Sequence, residues 1–428
     1  MRKRIAMATF GSFGDLHPYL AVAIGLQKRG HEVTIATSEM YRPKIEGEGV
    51  RFHPIRPDTA SIYSDSEPMK QALKADTGTD YFVRQILLPH LEKSYEDLTR
   101  ACRGKDLLVS HPLTFAAPLV AEKLQLPWVS IALQPLIFLS TYDPPVLQAA
   151  TKPAGLQRLT PWKYLLLLDL TKQKMRPWMK PVDELRRRLE LAPAVGHPLF
   201  EGKFSPYGSL AWFSRLIAPS RPDWPAHTRI TGFPFYDRQQ AGSGIDSRLA
   251  KFLENGESPV VFTLGNSGLL DAGDFFYQSI LAAQRLGYRA ILVTGTRTPS
   301  RMPTALPDTM IASDYAPYSD VFPHAAAVVH HGGIGTTGQA LRAGRPMLVV
   351  PFVNDQFDNA ERARKLGVAR VVDKRSYTAK RAQAELTLLL SESSYSSRAA
   401  DVGEAIRNED GVGAACDALE ALATVVRR

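Results

Sequence analysis

With 428 residues, 44% of them hydrophobic, the chain can bury two sizeable cores, and its length implies two or three domains. A formal net charge of +9 comes from dispersed basic residues with no nucleic-acid-binding motif beside them, which argues against a nucleic-acid partner and suits an anionic membrane surface or an anionic substrate. Two widely separated cysteines, Cys102 and Cys416, lack metal or redox spacing and fit a reducing cytoplasm, and no segment reaches the roughly 18 apolar residues of a membrane span.

At the N-terminus, basic residues precede an apolar run too short for a secretion signal, and Ile5 to Phe10 reads as a buried first strand. Gly11-Ser12-Phe13-Gly14 reads as a tight turn, Leu16 to Arg29 as an amphipathic helix stopped by Gly30, and Glu32 to Thr37 as a second strand. Asp15 stands where that helix begins, with Pro18 in its first turn, so it reads as an N-cap. Trp162 to Lys180 mixes leucine, tryptophan and lysine as a lipid headgroup surface, the lid of an apolar pocket or a core helix would. Arg186-Arg187-Arg188 reads as a solvated turn. Ala218 to Asp237 contains Pro219, Pro222, Pro225 and Pro234 without helix or strand period, and reads as a linker between domains at 1–217 and 238–410. A last helix, Gly413 to Val426, falls in 411–428.

The second half carries the clearest chemistry. Val260 to Gly265, followed by Asn266-Ser267-Gly268, reads as a strand and its turn, and Ala325 to Val329 repeats the pattern before Gly332-Gly333. Thr336 to Arg342 reads as a helix ended by Gly344 and Pro346. Such a helix points unpaired N–H groups and the positive end of its dipole beyond the strand, where phosphate oxygens fit. Gly333 and Gly335 let the backbone approach the anion, and Thr336, Thr337 and His331 add donors. His330 and His331 do not suit a metal, because neighbours on a strand face opposite ways and no further ligand lies close in sequence. An alternative reading takes Gly333-x-Gly335-x-x-Gly338 as the fingerprint of an NAD(P)-dependent oxidoreductase, with Asp355 on the ribose, although few residues follow Asp355 for the further βα units that fold needs.

His331-x-Gly333-x-Gly335-Thr336-Thr337, Gly344-x-Pro346, Pro351-x-x-x-Asp355-Gln356 and Asn359-Ala360 resemble the donor-site signature of family 1 glycosyltransferases of GT-B fold. Gly11-Ser12-Phe13-Gly14-Asp15-x-x-Pro18 resembles the bacterial lipid, sterol and antibiotic members, and Ala211-Trp212-Phe213 with Thr231-Gly232-Phe233-Pro234 is similar to rhamnolipid-type rhamnosyltransferases and sterol glucosyltransferases. The resemblance implies an α/β chain of two Rossmann-like domains facing across a cleft, with the last helix crossing back onto the first domain. It implies an inverting, metal-independent enzyme without a cofactor, which moves a hexose from a UDP- or dTDP-sugar to a hydroxyl of an apolar phenol or flavonoid, sterol, lipid or polyketide. Asp15 would then be the general base, with His17 as the alternative. Asn266, Ser267, His331, Gly333, Gly335, Thr336 and Thr337 would hold the diphosphate. Tyr315, Ala316 and Pro317 would hold the base, and Asp355 and Gln356 the sugar. Gln339 stands where many plant members have a ribose-binding glutamate. Phe13, Phe82, Phe138, Tyr142 and Trp162 are candidates for the acceptor pocket. A GT-B sugar-nucleotide epimerase stays open as a further alternative, the location is cytoplasmic with possible contact at a membrane periphery, and the sequence sets no oligomeric state.

Overall fold

Short aliphatic runs form parallel strands that helices cover on both faces. The computed structural model describes residues 2–58, 60, 71–72, 78–147, 160–237, 245–265, 272–295, 302–303 and 305–425. The first half contains β1 (Arg4–Ala8), α1 (Phe13–Lys28), β2 (Glu32–Thr37), α2 (Arg42–Gly47), β3 (Arg51–Pro54), α3 (Leu91–Cys102), β4 (Leu107–Ser110), α4 (Ala116–Lys123), β5 (Trp128–Ala132), α5 (Pro161–Met175), α6 (Lys180–Arg188), β6 (Ser209–Ala211) and β7 (Thr228–Ile230). These strands pair in parallel in the order β3-β2-β1-β4-β5-β6-β7. On β1 the alternation of a strand sends Ile5 and Met7 into the core with α1, and Ala6 and Ala8 into the core with α3 and α4. A strand buried on both faces has no polar side, which is why it reads as a continuous apolar run.

The second half repeats the plan with α7 (Ser247–Glu254), β8 (Val260–Thr263), α8 (Phe275–Leu286), β9 (Ala290–Val293), β10 (Met310–Ser313), β11 (Ala327–His330), α9 (Ile334–Arg342), β12 (Met347–Val349), α10 (Gln356–Lys365), β13 (Ala369–Val371), α11 (Ala379–Ser391), α12 (Ser393–Arg407) and α13 (Gly411–Val425). Its sheet order is β10-β9-β8-β11-β12-β13, again parallel. In both sheets the order reverses between the first and fourth strands of the half, β1/β4 and β8/β11. At such a point the connections leave in opposite directions and open a crevice beyond the carboxyl ends of the strands.

Several local expectations are corrected. Helix α1 begins at Phe13, earlier than Leu16, because Ser12 is its N-cap: the Ser12 hydroxyl accepts from Gly14 N (3.1 Å) while the Asp15 carboxylate accepts from Ser12 N (2.8 Å). Asp15 is therefore the third helical residue of a capping box, and Pro18 lies inside the helix. The proline-rich stretch 218–237 holds β7, a three-residue edge strand that pairs with β6. Arg186 to Arg188 form the last turn of α6, where Arg186 is buried, donates to the Ala192 carbonyl (2.7 Å) and pairs with Glu122 (2.7 Å). The core-helix reading of Trp162 to Lys180 fails as well, since Tyr164 is the one fully buried residue of α5 and Trp162, Leu166 and Leu170 are more than half exposed.

Contacts of three kinds, among others, tie the halves together in the described residues. An apolar cluster runs from Phe138, Phe213 and Trp224 in the first half to Val261, Ile291 and Val328 in the second. Arg362 on α10 reaches Asp143 (2.7 Å) and Asp358 (2.8 Å), and Asp358 accepts from Val146 N (3.1 Å). Helix α13 lies on α1, with Cys416 and Leu419 in the same core as Leu20 and Val22, and Glu420 between Arg29 (3.0 Å) and His31 (2.7 Å). Leu419 is fully buried there, so Leu419→Ala should cost about 2–5 kcal/mol in denaturant unfolding. A loss below about 0.5 kcal/mol would show that α13 is not part of that core.

Candidate active site

The turn after β1 is shaped around Asp15. Gly11 has φ +133°, and a Cβ there would lie 2.2 Å from Asp15 Oδ2, so a glycine alone lets the carboxylate fold back over the turn. Oδ2 accepts from Ser12 N (2.8 Å) and Ser12 Oγ (3.2 Å), which leaves Oδ1 to face the cleft side. Burial pushes the Asp15 carboxyl up to about 6, against the opposing pull of the Ser12 bonds. His17 points elsewhere, because side chains two apart on a helix do not share a face. Its ring stacks on Tyr236 (4.9 Å) and lies beside Phe13 (5.3 Å), and burial, with the Lys44 charge, pushes it down to about 4.

Opposite, the end of β11 presents His331. Its ring is wedged between Gly265 and Gly333, where a Cβ would come within 2.7 and 2.5 Å of ring atoms. Burial lowers His331 to about 4, so the imidazole is neutral, and its Nδ1 is buried with no partner among the described residues. Gly333 is the N-cap of α9, Gly335 is exposed in the first turn with open space beside it, and the first N–H groups of the helix are available to an anion. Thr337 donates its hydroxyl to Gly333 O (3.0 Å), so its proton serves the helix. Thr336 is buried beside Tyr318, whose hydroxyl also meets Thr263 Oγ1 (2.8 Å) at the end of β8. That contact joins three loops. The Ser313 hydroxyl fixes the Tyr315 carbonyl (2.7 Å), which leaves the Tyr315 ring exposed above buried Ala316 and Pro317. Gln339 lies 3.5 Å from Asp237 through Nε2, and its Oε1 is buried and has no partner among the described residues. Asn266 and Ser267 lie outside the described residues.

Asp355 is the N-cap of α10, but its side chain bonds no backbone N–H of the first turn; it accepts instead from Asn359 Nδ2 (2.7 Å), which also donates to Gly332 O (2.9 Å). Burial pushes Asp355 up to about 7, with the Asn359 bond opposing and the Asp15 charge across the cleft adding. Gln356 Oε1 accepts from Phe352 N (2.8 Å) and Val353 N (3.0 Å), which fixes the loop and leaves the amide N–H groups as its donors. The aromatic candidates separate. Phe13 packs on His17 and Tyr41 at the cleft end of α1, and Phe82 packs on Phe10. Phe138 is core, stacked on Trp224 at 4.2 Å, while Tyr142 and Trp162 are 64% and 61% exposed.

Sequence reasoning missed His111, which follows β4 and lies 3.6 Å from Asp15 Oδ1, together with Asn359 as the brace of Asp355 and Tyr318 as the link between loops. A histidine directly after a four-residue aliphatic strand was the available signal for the first of these.

A half-buried carboxylate at one switch point and a helix N-terminus open to an anion at the other suit a transferase that draws on an anionic donor. Comparison with known proteins agrees. Residues 5–134 match the glycosyltransferase family 28 N-terminal domain, and residues 289–411 match the erythromycin biosynthesis protein CIII-like C-terminal domain. The chain is 31% identical to O-mycaminosyltylonolide 6-deoxyallosyltransferase of Streptomyces fradiae, with 97% of both chains covered. It is 27% identical to a sterol 3-beta-glucosyltransferase of Yarrowia lipolytica over 96% of its own length, which spans 28% of that longer protein. Among solved structures it resembles the kitacinnamycin glycosyltransferase (TM-score 0.74, 20% identity, 98% and 99% of the two chains) and the glycosyltransferase VinC in complex with dTDP (0.69, 21%, 98% and 99%). The chain belongs to the family 1 glycosyltransferases of GT-B fold, two Rossmann-like domains facing across a cleft.

The oxidoreductase reading is thereby overturned. Its fingerprint belongs after the first strand of a dinucleotide fold, whereas Gly333 to Gly338 follows β11, the fourth strand of its half, and Gly338 packs on Phe233.

The raised carboxyl of Asp355 makes a sign-definite prediction. Folded, Asp355 keeps its proton to about pH 7, and unfolded only to about pH 3.9, so it contributes stability that is present below about pH 4 and lost as pH rises through 7. Asp355→Asn should therefore lose less stability between pH 4 and 7 than the parent in denaturant unfolding. Equal slopes would contradict the assignment.

Proposed function

We propose that the chain moves a hexose from a thymidine or uridine diphosphate sugar to a hydroxyl of an apolar small molecule, with inversion and with Asp15 as the base. The observation that carries it is the approach of Asp15 to Asp355 from the facing switch point, close enough for the Asp15 charge to act on Asp355, with Asn359 tying Asp355 to Gly332, the residue after His331. The acceptor oxygen attacks the anomeric carbon, the bond from that carbon to the diphosphate breaks with its electron pair on the diphosphate, and the acceptor proton passes to Asp15 Oδ1. A positioned base contributes roughly 10²–10⁴-fold. The neutral His331 ring and the N-terminus of α9 stabilise the charge that develops on the diphosphate, without proton exchange and without a metal.

The donor contacts follow from unused valences. The orphaned Gln339 Oε1 accepts from a ribose hydroxyl, the exposed Tyr315 ring stacks on the base, and Asp355 with the Gln356 amide reads the sugar hydroxyls. The relative that acts on a tylonolide, the sterol glucosyltransferase relative and the neighbour bound to dTDP support a macrolide-like or sterol-like acceptor and favour thymidine over uridine. No helix of the described residues is long and apolar enough to cross a membrane. The outward Trp162, Leu166 and Leu170 of α5, with Lys163 and Lys174 exposed beside them, suit a peripheral contact with an anionic bilayer.

Asp15→Ala should abolish transfer, measured as nucleotide diphosphate release, while thymidine diphosphate binding by calorimetry stays within about threefold of the parent. Turnover at the parent rate would remove Asp15 as the base.

A further inference from the structure

Two residues far apart in sequence meet at the first switch point. Strands β1 and β4 are neighbours in register, Ala8 opposite Ser110, and His111 N donates to Ala8 O (2.9 Å), so the residue after β4 is delivered beside the turn that holds Asp15. His111 is 4% exposed, and its Nε2 stands 3.6 Å from Asp15 Oδ1, the carboxylate oxygen that the capping box leaves unbonded.

The tautomer is set by the other ring nitrogen. Nδ1 accepts the backbone N–H of Leu113 (3.2 Å), so in the neutral ring the proton is on Nε2, the atom that faces Asp15. Burial pushes His111 down to about 3, and the buried ammonium of Lys203 acts in the same direction, so the ring is neutral at working pH. A neutral ring with its proton on Nε2 cannot take a proton at that atom. It can only donate, which excludes a relay from Asp15 through His111.

We propose that His111 is the positioning partner of Asp15: its Nε2–H aims Oδ1 at the acceptor hydroxyl and steadies the carboxylate before it takes the proton. The gap of 3.6 Å is just beyond a hydrogen bond, and catalytic contacts of this kind shorten when substrate closes the site. The inference rests on the reading of Asp15 as base and extends it. Besides His111, the charges and titratable groups that bear on this pair are Asp355 across the cleft, the buried Tyr19 hydroxyl one turn along α1, and Lys203 behind the ring.

The test uses two amides of different length. Glutamine places its N–H near the position of Nε2 and keeps the donor toward Asp15, but gives up the bond from Leu113 N. Asparagine does the reverse, with an acceptor near Nδ1 and nothing toward Asp15. H111Q should keep kcat within about threefold of the parent and leave the acid limb of kcat/KM in place. H111N should lower kcat by about 10- to 100-fold, the loss expected of a hydrogen bond to a charged group, with acceptor KM within about twofold and the acid limb moved to higher pH. If H111N matches or exceeds H111Q in kcat, or if neither variant moves the acid limb, His111 serves the Leu113 turn alone and the pairing is overturned. The D15A enzyme separates the two ideas: an active D15A defeats the base itself, whereas an inactive D15A with equivalent H111Q and H111N defeats only the partnership.

Discussion

Strand order is the constraint on which the rest depends. A parallel sheet covered on both faces must send its chain over one layer or the other, and where the first and fourth strands of each half lie side by side the two departures diverge. The chain does this twice, and the residues proposed for the chemistry gather beyond these carboxyl ends: Asp15 after β1, His111 after β4, Gly265 after β8, His331 after β11 and Asp355 after β12. The apolar cluster around Phe138 and Trp224 and the Asp143–Arg362–Asp358 bridge hold the two crevices against each other. The facing arrangement depends on these groups, and the Asp358 charge also acts on Asp355.

Electrostatics then sorts the roles. Two carboxylates face one cleft, each raised by burial, and the Asp15 charge further disfavours ionisation of Asp355. Asp15 keeps two bonds from Ser12, which favour its charged form, while Asp355 has one from Asn359 and the higher value, about 7 against about 6. The carboxylate more readily free of its proton is the one we propose as base. The one that holds its proton longer is proposed to face the sugar, where a group that both donates and accepts can read a hydroxyl. On the proposed phosphate side burial keeps His331 neutral, so in the proposed mechanism stabilisation there comes from aligned N–H dipoles that need not reorganise during the reaction.

Much of this was legible in the sequence, and the limits have physical causes. Local features were readable: the aliphatic run of β1, the glycine turn before α9, and the Gly344 and Pro346 stop after it, because glycine, proline and period act over a few residues. The Ser12 cap was present as a Ser-x-x-Asp box but was hidden by the prior claim of Asp15 itself as cap. Strand β7 has three residues among prolines, too short to show a period. His111 could not be paired with Asp15 from sequence, since 96 positions separate them and only the β1–β4 register joins them. Aromatic residues were the least legible, because a ring that packs on another ring, as Phe138 does on Trp224, has the same composition signal as one that lines a pocket.

The configuration of the product tests the account most directly. A single base at Asp15, on the acceptor side of a cleft whose other wall holds the diphosphate, supports attack from the face opposite the leaving group. With an α-linked thymidine or uridine diphosphate hexose and a hydroxylated macrolide or sterol, the anomeric proton coupling of the isolated glycoside should report the β configuration. An α-glycoside from the same donor would mean retention, and would contradict direct displacement with Asp15 as the base.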